Sequence, residues 1–158
     1  MTEDAKFEDG GETPLNLQAV DGEDLQVIST LVQDAVFPIT EMNWDRKQRR
    51  FALLINRFRW EDAAAAIQRK RGYERVQAIL MAQDVLKVAS QGVDRNNKDI
   101  ILSVLSVDFE AGEDGTGRIV LNLAGDGAIA VDVETLDLTL KDVTRPYIAP
   151  SRSKPAHD

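Results

Sequence analysis

The sequence predicts an α+β fold: a mostly antiparallel, strongly bent or barrel-like sheet of short strands, with one amphipathic helix near the N-terminus. Three observations predict it. Many short runs alternate apolar and polar residues, the period of a strand with one buried face. Clusters of Gly, Asn and Asp separate these runs at hairpin intervals. Only one early stretch, Leu25, Ile28, Leu31 and Val32, carries apolar residues at helical spacing. A sheet of about seven or eight short strands follows. A pleckstrin-homology-like barrel is one architecture of this kind, by analogy of form alone.

Residues 1–13 are acidic, contain Gly10-Gly11 and lack apolar periodicity, so they read as a disordered tail ahead of one domain spanning 14–147. Leu15 and Leu17 alternate as in a short strand. Asp21 is placed to cap a helix over Gly22–Gln33, with Glu23 and Asp24 at the positive end of its dipole. Ala35–Ile39 reads as a short strand that Pro38 confines to an edge or a strand end. Met42–Lys47 has turn chemistry. Over Arg49–Trp60 the residues separate by parity: Arg49, Phe51, Leu53, Ile55, Arg57 and Arg59 face one way, and Arg50, Ala52, Leu54, Asn56, Phe58 and Trp60 the other. Both faces are apolar at mid-strand, which predicts cover on both sides.

Glu61–Arg71 reads as a short helix or helical loop, from Ala63–Ala66, the basic Arg69-Lys70-Arg71 and a terminating Gly72. Arg75–Ala82 and Val85–Ser90 read as a strand pair broken near Gln83-Asp84. Gly92–Asp99 is a polar turn. Ile100–Phe109, a glycine-rich acidic loop over Glu110–Gly117, Arg118–Ala124, a Gly125-Asp126-Gly127 turn and Ala128–Glu134 continue the pattern. Apolar residues then change phase, from odd numbers at Ile129, Val131 and Val133 to even numbers at Leu136, Leu138 and Leu140. In a continuous strand that shift turns the core set to water, so a bulge or corner is predicted near Glu134-Thr135. Pro146, Pro150 and Pro155 make residues 148–158 an extended or disordered tail.

Composition narrows the chemistry. The 158 residues contain no cysteine, which removes disulfides, thiolate metal sites and cysteine nucleophiles. The one histidine, His157, is next to last, so a Ser-His-Asp triad and a multi-histidine metal site lack their parts. No apolar run reaches the roughly 18 residues of a spanning helix, and the acidic N-terminus does not read as a signal peptide. A cytoplasmic protein without membrane contact or cofactor is the expectation.

Charge is concentrated. The chain has 19 basic and 27 acidic residues, net −8. Glu41–Arg75 alone holds ten basic residues against five acidic ones, with Trp44, Phe51, Phe58, Trp60 and Tyr73 among them. Arg57 and Arg59 stand two apart on the predicted strand, about 7 Å along it, a spacing suited to phosphate or carboxylate oxygens. Arg57, Arg59, Arg49, Arg50 and Trp60 are therefore the candidate anion- or partner-binding residues. Two readings stay open: an exposed basic and aromatic surface, or Phe58 and Trp60 in the core with the arginines solvated or paired to the chain's own carboxylates.

Other constellations are weaker. Asp108, Glu110, Glu113 and Asp114 offer oxygen ligands to a hard cation, but their order lacks the alternate-position pattern of a calcium loop, and a solvated hairpin turn is expected. Asp132 with Glu134, or Asp94 with Asp99, supplies paired carboxylates with no element placing a partner opposite them. Ser103 and Ser106 have no base in sequence to activate them.

The runs Arg49-Arg50-Phe51-Ala52-Leu53-Leu54-Ile55-Asn56-Arg57-Phe58-Arg59-Trp60-Glu61, Gly92-Val93-Asp94-Arg95, Arg145-Pro146 and Pro155-Ala156-His157-Asp158 resemble an uncharacterised bacterial, mainly alphaproteobacterial, family known as domain of unknown function 2948. The resemblance extends from Leu15 onward and implies no activity and no site residues. The expectation is a non-enzymatic cytoplasmic binding or adaptor protein, using 41–75 to contact an acidic protein partner, a second copy of itself or an anion. The alternatives are nucleic-acid binding through the same segment and an enzyme of unknown type working through carboxylates and arginines.

Overall fold

A computed structural model of the chain describes residues 14–62 and 74–148. The two tails beyond, and the Ala63–Ala66 and Arg69-Lys70-Arg71 part of the expected helix or helical loop, lie outside the described residues; Trp60–Asp62, at its start, form a 3-10 turn.

Strand β1 (Asn16–Ala19) leads into helix α1 (Gly22–Leu31). Asp21 caps that helix as expected: its Oδ1 accepts the amide of Asp24 at 2.9 Å. Leu25, Ile28 and Val32 are fully buried, which sets the apolar stripe against the strand Ile101–Ala111, and Ser29 Oγ accepts the amide of Val107 at 2.9 Å. Next come β2 (Val36–Pro38), a 3-10 turn (Ile39–Glu41), β3 (Met42–Asp45) and β4 (Arg50–Phe58). The sheet continues through β5 (Glu74–Ala82), β6 (Val85–Gln91), β7 (Ile101–Ala111), β8 (Gly117–Leu123), β9 (Ala128–Val133), β10 (Leu138–Asp142) and β11 (Tyr147–Ile148).

Every pairing is antiparallel, in the order β1-β10-β5-β4-β2-β7-β8-β9-β6, with β3 added to β4 and β11 to β5. The α+β class and the mostly antiparallel sheet are as predicted. The sheet bends but does not close, so a completed pleckstrin-homology-like barrel is not formed; β1 and β6 are left as edges.

Three local expectations change. Met42–Asp45 is a strand and the turn falls later, at residues 46–49, because Met42 and Trp44 pack inward opposite Leu53 and Phe51. Arg75–Ala82 and Val85–Ser90 do not pair with each other: β5 lies between β4 and β10, whereas β6 pairs with β9. The Gln83-Asp84 break, with Asp84 at φ 55°, redirects the chain from one limb of the bent sheet to the other. Strand β4 is covered chiefly on its odd-numbered face, where Phe51, Leu53, Ile55 and Arg57 are buried; Ala52, Leu54 and Asn56 are half-buried.

The predicted corner is present. β9 stops at Val133 and β10 starts at Leu138, so the phase change falls in the connection and both sets of apolar residues reach the core. Gly125, at φ 81°, turns the chain between β8 and β9, where a side chain is disfavoured.

Candidate functional site

The two ends of β4 carry different arginines. At its C-terminal end, strand alternation sends the Arg57 side chain to the same face as Ile55, where it is 0% exposed. Its Nε and Nη2 donate to the two carboxylate oxygens of Asp142 at 3.0 and 2.9 Å. Nη1 and Nη2 also donate to Glu61 at 3.0 and 2.8 Å. Asp142 in turn accepts the Leu15 amide at 2.9 Å, tying the start of β1 to β10 and β4. Arg59 is 3% exposed; it pairs with Glu74, and with Asp62 and Glu61 at 3.5 and 3.7 Å.

The expected contact of Arg57 and Arg59 with an outside anion is corrected by this placement. Their donors are enclosed and directed to the chain's own carboxylates. Burial opposes the charge on Arg57, but its hydrogen bonds to Glu61 and Asp142 outweigh that and raise its pKa above the ordinary arginine value. Burial likewise works against the Glu61 carboxylate, yet the Arg57 bond holds its pKa below the ordinary carboxylate value. The signal for this was Glu61-Asp62, one residue beyond Arg57-Phe58-Arg59, which sets carboxylates four and three positions after the two arginines.

Trp60 is also internal in function: its Nε1 donates to the Gln33 carbonyl at 2.9 Å, and its ring meets Phe58 edge to face at 4.7 Å between centroids. Phe58 is buried. Arg75 donates to Asn56 Oδ1 at 3.1 Å and to the Asp34 carbonyl at 3.2 Å; burial lowers its pKa. Arg50 is exposed and donates to Gln83 at 3.2 Å. Arg49 pairs with Glu134, while its Nε is buried without an acceptor among the described residues.

Beyond the N-terminal end of β4 the arrangement is reversed. Here β3, added to β4, and β6, one edge of the sheet, line the same cleft. The Val85 amide, at the start of β6, donates to the Arg49 carbonyl at 2.9 Å. At the other end the Ile39 amide donates to the Ile100 carbonyl at 3.0 Å, holding the loop between β6 and β7 against the start of β3. Between these two bonds lies a cleft of about 400 Å³. Ile39, Met42, Phe51, Val88 and Ile129 supply its apolar lining, with Trp44 on the β3 side and Thr40 and Ser90 as its neutral polar groups. Its charged residues are Arg46, Arg95 and Lys98.

Among the described residues no carboxylate lines this cleft. Arg46, Arg95 and Lys98 are exposed and make no ion pair among the described residues. A neighbouring depression of about 330 Å³ shares Trp44, Arg46 and Val88 and adds Arg49 and Lys87, again without an acidic lining residue among the described residues. Such a site offers charge-assisted hydrogen bonds to an anion above an apolar floor.

Segment 41–75 thus contributes Trp44, Arg46 and Arg49 to the open cationic site and Arg57 and Arg59 to the interior, with Trp60 half-buried against Phe58. Arg95 and Lys98 lie in the polar turn Gly92–Asp99, far from that segment in sequence, where charge counting cannot join them to it. Among the other candidates, Asp132 is paired with Arg118 at 2.7 Å and Glu134 with Arg49, so the two carboxylates are directed to different arginines. Ser106 accepts from Asn122 at 3.0 Å. The acidic loop forms the exposed β7–β8 hairpin turn, and no group of three or more potential metal ligands converges among the described residues. No described helix is long and apolar enough to cross a membrane.

No curated protein and no solved structure matches the chain. A family model described as "Protein of unknown function (DUF2948)" matches residues 15–157, and the chain belongs to that family.

Proposed function

We propose that this is a non-enzymatic binding protein that receives an anionic ligand, or an acidic group of a partner, in the cleft between β3 and β6. One observation carries the reading: in a chain of net charge −8, Arg46, Arg95 and Lys98 surround a cleft that no carboxylate of the described residues lines. Arg57, Arg59 and Arg118, by contrast, are paired with the chain's own acids. Residual positive potential in a concavity attracts an anion and raises its local concentration. The binding residues in this reading are Arg46, Arg95 and Lys98, with Trp44 as the aromatic wall. Arg49 is secondary because Glu134 already engages it.

Trp44 provides the test, since the chain has only two tryptophans. In a Trp60→Phe background, titration with polyglutamate is expected to change Trp44 fluorescence, with affinity falling as salt rises. Arg46→Glu/Arg95→Glu/Lys98→Glu is expected to abolish the change while the variant stays folded. An unaltered titration in that variant rejects the reading. A response to single-stranded oligonucleotide but not to polyglutamate transfers the site to nucleic acid, where Trp44 beside Arg46 would serve base stacking.

A further inference from the structure

The cations are not spread evenly around the cleft. Arg46 follows β3 on the turn into β4, near the Val85 to Arg49 bond. It is shared with the neighbouring depression, which contains neither Arg95 nor Lys98. Those two stand on the β6–β7 loop, whose residue Ile100 is bonded to Ile39 at the start of the other wall. Chain order along both walls agrees: Ile39, Thr40 and Met42 precede Trp44 and Arg46 on one side, and Val88 precedes Ser90, Arg95 and Lys98 on the other. The floor between is apolar, with Phe51 and Ile129 almost wholly buried beneath it.

From this we infer that the cleft takes a two-headed amphiphile: a small molecule with an anionic group at each end and an apolar body between. One head meets Arg46; the other meets Arg95 and Lys98; the body lies over Phe51, Ile129 and Val88, beside Trp44. The intervening strand β3 has four residues, which span about 13 Å. A compact inorganic anion reaches one cationic end only and leaves the apolar floor in contact with water. An anion with one head and an apolar tail satisfies one end and the floor, and brings hydrocarbon up to the second cationic group. Only the two-headed form matches all three parts, and the volume of about 400 Å³ lies in the range of small-molecule sites.

The inference rests on the cleft being the binding site, and the experiment separates its failure from failure of that reading. The probes are dodecanedioate, dodecanoate and inorganic phosphate, titrated against the full chain by calorimetry and by Trp44 fluorescence in Trp60→Phe. Dodecanedioate is expected to bind about tenfold or more tightly than dodecanoate, the effect of one further charge-assisted contact, and phosphate far more weakly than either. Arg46→Gln, and separately Arg95→Gln/Lys98→Gln, should each reduce dodecanedioate to the affinity of dodecanoate, and the combined variant should lose both. Thermal unfolding of each variant checks that it remains folded.

Equal binding of dodecanoate and dodecanedioate, or phosphate as strong as either, overturns the two-headed ligand and leaves a general anion site. Binding of polyglutamate with neither amphiphile overturns it in favour of an acidic peptide. If neither polyglutamate nor any of these probes perturbs Trp44, the cleft reading falls with it.

Discussion

Arg57 and Arg59, at the C-terminal end of β4, are buried and paired with Glu61, Asp62, Glu74 and Asp142. Arg46, beyond the other end of the same strand, faces an open cleft with Arg95 and Lys98 and no acid among the described lining residues. Within one basic segment, then, the same side-chain type serves two physical roles. Where the backbone carries arginine inward, folding requires carboxylates to follow, because an unpaired buried charge costs several kcal/mol. Where it leaves arginine in water, pairing is worth little, and an unpaired cation is tolerated at almost no cost to stability. Sequence charge density does not distinguish the two; strand parity and the position of acids three and four residues away do.

The widest separation between the regions is expected in stability. Arg57→Ala strands Asp142 without its bidentate partner and should cost about 3–5 kcal/mol in urea unfolding; a cost below about 1 kcal/mol would mean that the two ends of β4 do not differ as argued.

Acid sensitivity is the next test. The pKa of Glu61 is lowered in the folded protein, so the unfolded chain takes up its proton at higher pH. Its stabilisation is complete above the ordinary value of 4.5 and is lost as pH falls through the lower folded value. Glu61→Gln should therefore be less stable than the parent above pH 4.5 and show a shallower acid dependence, which unfolding midpoints against pH measure.

Arg46→Ala, Arg95→Ala and Lys98→Ala should each change stability by no more than about 0.5 kcal/mol, since each removes an exposed side chain with no ion-pair partner among the described residues. A larger loss in any of them would show that residue to be structural. The smallest expected effect is that of added salt on the unfolding midpoint, because the Arg57 network is enclosed; anion binding at the cleft should weaken markedly over the same salt range.

Much of the fold was legible in local chemistry. Asp21 caps α1, Gly125 turns the β8–β9 hairpin, and the parity change after Val133 marks a true corner, because caps, turns and alternation depend on neighbours in sequence. Strand partners were less legible. Val85–Ser90 looked like the return strand of Arg75–Ala82, but a short break reads alike whether the chain folds back or crosses to another limb. The site was legible by half. Trp44 and Arg46 belong to the segment that stands out by charge, whereas Arg95 and Lys98 join them only through the path of β6 and the loop after it. Arg57 stood out for its charge, although the odd-numbered apolar residues of β4 already placed it inside.

The flank of β6 that β9 does not cover has one further consequence. Peptide groups along such a flank are a template on which another chain can add, the usual route from a soluble sheet to fibrous assembly. Here Lys87 lies on the strand itself, and Arg46, Arg95 and Lys98 stand around the approach. Two copies aligning these flanks would bring their positive groups face to face. The charges that make the cleft receptive to an anion also guard the sheet against its own kind, and neutralising them is expected to make the protein more prone to precipitate.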